Sequence, residues 1–212
     1  MVIPREARRI TYSNEIRNLK KLSFSEIQKE VIVGNLLGDG HLCQNWSGTN
    51  FRLKIGQAKK QEDYVSWKYD ILKDFVLTAP KLHVSTNSVR FATISHPELT
   101  NFHNIFYQGK KKIIPKNIGE YLSPLTLAVW FMDDGNVAKQ SGKVKGFHLN
   151  TQSFTENENL ELLNFFHSID IDGAMEKNHG KYRIGIWRKQ SRDMFLEIIK
   201  DHILPSLQYK LG

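Results

Sequence analysis

The chain has 212 residues, with 30 Lys and Arg against 22 Asp and Glu, a net charge of +8 and a pI near 9.5. Its single cysteine, Cys43, excludes an intrachain disulfide and a thiolate zinc cluster, and fits a reducing compartment. No apolar run approaches the ~20 residues of a membrane span. The basic balance favours a polyanionic partner without by itself naming nucleic acid. A soluble protein with one sizeable core, or two small ones, is expected.

Residues 1–22, with Arg5, Arg8, Arg9, Arg17, Lys20 and Lys21, read as a basic arm, and Glu6 and Glu15 interrupt any transit-peptide pattern. Ser25-Glu26-Ile27-Gln28 forms a capping box and predicts a helix from about Ser25 to Gly38. Phe51-Arg52-Leu53-Lys54-Ile55 alternates as a strand with Arg52 and Lys54 on one face. Apolar residues at helical spacing predict an amphipathic helix over 60–77, with Tyr64 and Trp67 in the core. Two strands, 81–85 and 89–94, flank a tight turn at Thr86-Asn87-Ser88, and Pro97 opens a further helix.

After a basic linker, residues 110–122, the order repeats. Ser123 caps a helix with Pro124 in its first turn. Strands are predicted near 136–138 and 147–151, and a helix over 156–169 with Leu160, Leu163 and Phe166 inward. Strands near 173–176 and 182–187 and a helix over about 192–203 complete the second copy. The division is therefore an arm, a repeat over 23–109, the linker, and a repeat over 123–212, with each repeat helix-strand-strand-helix-strand-strand-helix. This is an α+β duplication.

Two stretches, Ile32-Val33-Gly34-Asn35-Leu36-Leu37-Gly38-Asp39-Gly40 and Leu127-Ala128-Val129-Trp130-Phe131-Met132-Asp133-Asp134-Gly135, are apolar helices that stop at Asp-Gly. They lie 95 positions apart, and the same offset carries Gln57 onto Gln152. A glycine past a helix suits a left-handed terminator. An Asp in the last turn does not suit the helix, whose C-terminus carries partial negative charge. Carboxylates gathered beside carbonyl oxygens are hard ligands that suit Mg²⁺. If the helices pack, Gly34, Gly38 and Ala128 allow close approach, and Asp39 and Asp134 come together.

At these residues, and at Tyr121-Leu122-Ser123-Pro124-Leu125 and Leu149-Asn150-Thr151-Gln152-Ser153-Phe154, the chain resembles the LAGLIDADG homing endonucleases in their single-chain, two-motif form, closest to the I-SceI type. Val129 departs from the small residue common there and predicts a looser contact. The resemblance implies antiparallel sheets forming a DNA-binding saddle, with the motif helices packed at the interface. It also implies cleavage of one phosphodiester in each strand of a long asymmetric site, across the minor groove, with short 3′ overhangs. Mg²⁺ would be held by Asp39 and Asp134 and the carbonyls of Gly38 and Asp133, with Mn²⁺ able to substitute. Lys112 and Lys210 match the family's basic residues near each centre, although Lys110, Lys111 and Lys116 leave a solvated linker as the rival reading for Lys112. Gln57 and Gln152 would organise water or phosphate. Arg52, Lys54, Arg90, Arg183 and Arg188, with His148 and Asn150, would face DNA, since Arg and Asn can read guanine and adenine edges.

The expected partner is double-stranded DNA, and the expected state is a monomer, since one chain carries both halves. An intron-encoded protein of an organelle or a bacterium is the family's habit. An RNA maturase acting on its own intron and a non-catalytic DNA-binding regulator are the alternatives.

Overall fold

A computed structural model describes residues 13–212. Arg5, Arg8 and Arg9 of the expected arm lie outside the described residues. Within its described part, residues 13–22, the arm is partly helical. Ser13 caps a short helix, α1 (Asn14–Leu19), that buries Ile16.

The first repeat holds α2 (Glu26–Leu37), β1 (His41–Gln44), β2 (Phe51–Ala58), α3 (Glu62–Leu72), β3 (Lys81–His83), β4 (Ser88–Ala92) and α4 (Pro97–Phe106). A two-residue pair, β5 (Tyr107–Gln108) and β6 (Lys111–Lys112), follows. The second repeat holds α5 (Pro124–Asp134), β7 (Gly135–Gln140), β8 (Lys143–Leu149), α6 (Glu156–Ser168), β9 (Gly173–Asn178), β10 (Lys181–Ile186) and α7 (Lys189–Ile199). Strand order is β1-β2-β4-β3 in one sheet and β7-β8-β10-β9 in the other, all antiparallel, so the duplication extends to topology.

Local chemistry explains the helix starts. Gln28 N–H donates to Ser25 Oγ at 3.3 Å while Ser25 N–H donates to Gln28 Oε1 at 3.0 Å, closing the capping box. Ser123 Oγ accepts from Thr126 N–H, with Pro124 in the first turn where its missing donor is harmless. Thr155 and Glu158 form a second capping box, at the start of α6.

The chain divides into two compact units. One comprises the described residues up to Lys29 with His41–His103; the other comprises Glu30–Gly40 with Asn104–Gly212. In the first, Leu53, Ile55, Val89 and Phe91 on the inner face of the sheet are buried, as are Tyr64, Val65 and Leu72 of α3. Lys68, on the same helix, is fully buried with its ammonium 3.9 Å from the Tyr64 ring centroid, whereas Trp67, expected in the core, is half-buried. In the second, Phe131, Phe147, Phe166 and Phe195 form one aromatic cluster under β8 and β10, with centroids 5.5–6.2 Å apart. Leu160, expected inward, is 44 % exposed, and Leu162 is buried in the core with Leu163 and Phe166.

The second unit contains the pairing of the motif helices. Thr126 Oγ1 donates to the Glu30 carbonyl at 3.2 Å. A Cβ on Gly34 would lie 2.6 Å from Val129 Cβ, and one on Gly38 would lie 2.5 Å from Asp133 Cβ. Each residue thus faces its own counterpart 95 positions on, with a glycine on one side of each pair. Val129 does not loosen the contact; Gly34 makes room for it.

The glycines that end the motifs do a different job from the one expected. Neither Gly40 nor Gly135 has a positive φ. Gly135 is extended (φ −87°, ψ 153°) and leads straight into β7. A Cβ there would strike the Phe131 ring, and one on Gly40 would lie 2.7 Å from Asn35 Cβ.

Gly34→Ala should destabilise the protein by about 1–3 kcal/mol through overpacking against Val129, and adding Val129→Ala should recover part of the loss. Urea unfolding of the three variants checks this; an unchanged midpoint for Gly34→Ala would mean that the helices do not meet there.

Candidate active site at the ends of the motif helices

The pairing of α2 with α5 sets their C-termini side by side. Asp133 extends its carboxylate over the space left by Gly38 and accepts from the Asp39 N–H at 3.2 Å. It therefore caps the neighbouring helix end, a role separate from that of Asp134 beside it. Burial first, then the Asp39 and Asp133 carboxylates, push the Asp134 carboxyl up to about 7, against the lowering pull of Lys112 and Lys210.

Two ammonium groups meet this negative charge. Lys112 Nζ donates to the Gly38 carbonyl at 2.5 Å, and Lys210 Nζ donates to the carbonyls of Met132 and Asp133 at 2.5 and 3.1 Å. Lys112 is not in a solvated linker. It lies in β6 opposite Tyr107, while Lys110 at the turn and Lys111 in the strand are exposed. Burial draws its ammonium below the ordinary lysine value, opposed by Asp134, Asp133 and Asp39. Lys210 comes from the 3₁₀ turn Pro205–Lys210.

The donor set suits a hard divalent cation. Its atoms are carboxylate and carbonyl oxygens, and the carbonyls assigned to metal, those of Gly38 and Asp133, already attract ammonium groups. Among the described residues no three or more His, Cys, Asp or Glu side chains converge as a closed metal cage. Mg²⁺ needs none, because it keeps waters and takes substrate phosphate oxygens alongside one or two carboxylates.

Strand register separates the two glutamines. Asp39 and Asp134 are 95 apart, but the second residue after each, His41 and Asn136, pairs with Lys54 in one sheet and His148 in the other, an offset of 94. A register irregularity between Ala138 and Lys139 accompanies the change. Gln57 therefore corresponds to Thr151, and Gln152 to Ala58. Gln57 lies within β2 opposite Val89 and is 9 % exposed. Gln152 lies past β8, half-buried, with its amide 3.5 Å from Asn150 Oδ1.

The residues expected to face DNA differ in their surroundings. In the first unit, Arg52 is exposed with Nε 3.4 Å from Cys43 Sγ, and Lys54 is half-buried. Arg90 lies across Gly56, held by Ser88 Oγ at 2.8 Å and Thr86 Oγ1 at 2.9 Å. In the second, Arg183 donates to Glu176 at 3.3 Å, and Arg188 lies beyond β10 at the N-cap of α7, paired with Asp172 at 2.8 Å. Arg188 is thus off the sheet. His148 is 5 % exposed, with its ring between Asn136 at 3.3 Å and Glu176 at 3.3 Å. Burial, then Arg183, hold its imidazole below the ordinary histidine value.

Three residues of this face escaped sequence reasoning: Asn136, Glu176 and Trp187. The Trp187 ring covers Gly146 and Gly185, leaving no room for a Cβ on either, and its N–H donates to Glu176. The signal for Asn136 was its place directly after Asp-Gly; Glu176 carried none, since its partners come from other strands.

The chain matches the LAGLIDADG DNA endonuclease family over residues 29–194. It is 30 % identical over 196 residues to the cytochrome b mRNA maturase bI2 of Debaryomyces hansenii, covering 86 % of this chain and 72 % of that protein. It is 28 % identical over 212 residues to "Probable intron-encoded endonuclease 1" of Wickerhamomyces canadensis, covering 94 % and 90 %. It spans less than half of the RecA proteins of Mycolicibacterium and Mycobacterium that it also matches. Among solved structures, the homing endonuclease I-WcaI bound to its DNA recognition sequence superposes with a TM-score of 0.84 at 26 % identity, covering 95 % of this chain and 93 % of that one. With the motif pair, the two sheets and this match together, the chain belongs to the LAGLIDADG DNA endonuclease family.

Proposed function

We propose that the chain is a homing endonuclease that hydrolyses one phosphodiester in each strand of a long asymmetric duplex DNA site, across the minor groove, leaving short 3′ overhangs. The observation that carries this reading is the gathering of Asp39, Asp133 and Asp134 with two lysine ammonium groups at adjoining helix ends. The carboxylates so placed repel one another and oppose folding; a divalent cation relieves that repulsion, and the cation together with the two ammonium groups attracts a phosphodiester. Asp39 and Asp134, with the Gly38 and Asp133 carbonyls, would hold Mg²⁺, for which Mn²⁺ substitutes. When bound, such a cation neutralises phosphate charge, lowers the pKa of an attacking water and stabilises the leaving 3′ oxygen.

The chain's own groups do the rest. Lys112 and Lys210 leave their carbonyl partners to stabilise charge developing on the phosphoryl oxygens. Asp133 keeps the first helix end in place through the Asp39 N–H. Gln152, beside Asn150, orders water or phosphate, and Gln57 has the same role in the first repeat. Arg52, Lys54, Arg90 and Arg183 contact DNA; the likeness to I-WcaI, a structure bound to its DNA recognition sequence, supports that partner. A monomer suffices, because one chain carries both motif copies. The likeness to an mRNA maturase supports a second activity on intron RNA.

Incubation with a randomised duplex library and Mg²⁺, sequencing the ends formed, should enrich one site with 3′ extensions, and EDTA should abolish the enrichment. Asp39→Asn should lose cleavage by at least about 100-fold while keeping DNA affinity; undiminished cleavage would refute the assignment. Tight binding to structured RNA without any cleavage would leave only the maturase reading.

Asp134 also makes a pH prediction. Its folded-state pKa of about 7 lies above its ordinary 3.8, so the folded chain binds this proton more tightly than the unfolded one. In EDTA its effect on stability therefore worsens as pH rises from about 4 to about 7 and then levels off. The gain in thermal midpoint of Asp134→Asn over the parent should grow from pH 5 to pH 8; a constant gain would contradict the assigned environment.

A further inference from the structure

Asn150 lies directly past β8, and its donors turn back onto the residue that carries the second motif's last carboxylate. The backbone N–H donates to the Asp134 carbonyl at 3.0 Å and the side-chain amide donates to the same oxygen at 2.7 Å. The amide also donates to Asn136 Oδ1 at 3.1 Å, and Asn150 Oδ1 lies 3.5 Å from the Gln152 amide. An Asn amide has two hydrogens. Both are engaged inside the protein, so neither is left for the two-bond reading of adenine that the residue type suggests.

The recipient of those donors matters. A helix leaves its last carbonyls without partners, and α5 ends at Asp134 with an extended Gly135 that makes no left-handed cap. Two donors on one oxygen fix the peptide plane between Asp134 and Gly135, and with it the direction in which the Asp134 side chain leaves the backbone. Asn136, itself 3.3 Å from His148 Nδ1, holds Asn150 from the other side. By strand register Asn150 corresponds to Gly56, which pairs with Arg90 and carries no side-chain amide, so that position of the first repeat cannot supply the same side-chain donor.

We propose that Asn150 is a positioning residue that aims the Asp134 carboxylate, with Asn136 as its support, and that the centre depending on Asp134 relies on this brace. The proposal rests on the nuclease reading above. Its consequence is directional: weakening the brace slows the cut that depends on Asp134 and leaves the other cut at its former rate.

The test uses the full chain, supercoiled plasmid bearing its site, and the variants Asn150→Gly, which copies the first repeat, and Asn136→Ala. The expected result is a nicked intermediate, one strand cut about 10-fold more slowly, with DNA affinity in Ca²⁺ unchanged within twofold. Equal slowing of both strands, or a loss of affinity confined to one base pair of the site, would overturn the proposal. A metal-free readout stands apart from cleavage: in ¹⁵N spectra the Asn150 side-chain amide protons should exchange slowly, and Asn150→Gly should shift the Gly135 amide signal. If the parent protein cuts no DNA, the nuclease reading fails, and fast exchange with an unmoved Gly135 signal would sink the brace independently.

Discussion

The contact on which the site depends is the one between equivalent positions of the two motif helices. Gly34 faces Val129 and Gly38 faces Asp133, each pair 95 residues apart. When two copies of a helix meet face to face, a residue near the symmetry axis meets its own counterpart, and two side chains cannot occupy one place. In both pairs here one member is glycine. Asp133 can therefore exist only because position 38 is empty, and the second carboxylate in one motif copy is allowed by its absence from the other. Close approach has an electrostatic cost, since two negative helix ends and three carboxylates become neighbours. Lys112 and Lys210 answer it by placing ammonium groups on the terminal carbonyls. Their segments, β6 and the turn at the end of the chain, are tied to the helix ends by that need.

Much of this was legible in the sequence. The Ser25–Gln28 capping box, the proline in the first turn of α5, the duplicated order of elements and the two Asp-Gly endings are local signals, and each was found where local chemistry put it; the Thr155–Glu158 box was overlooked. Asp39, Asp134, Lys112 and Lys210 were identified from spacing and resemblance, and they do come together. Illegible were features set by partners distant in the chain. Nothing in β8 reveals that its register against β7 is irregular, so Gln57 and Gln152, matched by counting, occupy different places. Nor does a helical pattern disclose that Lys68, a residue type kept at surfaces, lies buried against Tyr64.

The glycines teach a related lesson. A glycine after a helix invites a conformational explanation, and for Gly40 and Gly135 that explanation is incorrect. Neither has a positive φ, and what excludes a Cβ is a neighbouring side chain, Asn35 in one case and Phe131 in the other. Gly146 and Gly185 follow the same logic under the Trp187 ring. In this fold glycine serves close packing more often than turning, and only the tertiary neighbours reveal which.

The drift in register between the copies also bears on any attempt to exchange parts of them. Corresponding residues are 95 apart at the helix ends, 94 apart in β2 and β8, and 93 apart in β4 and β10, where Arg90 matches Arg183. A chimera cut by a single fixed offset would deliver a strand one residue out of step. Because successive side chains in a strand point to opposite faces, that slip would exchange the outer face for the buried one. Transplanting contact residues from one half of this protein to the other thus requires three separate rulers, one for each layer of the repeat.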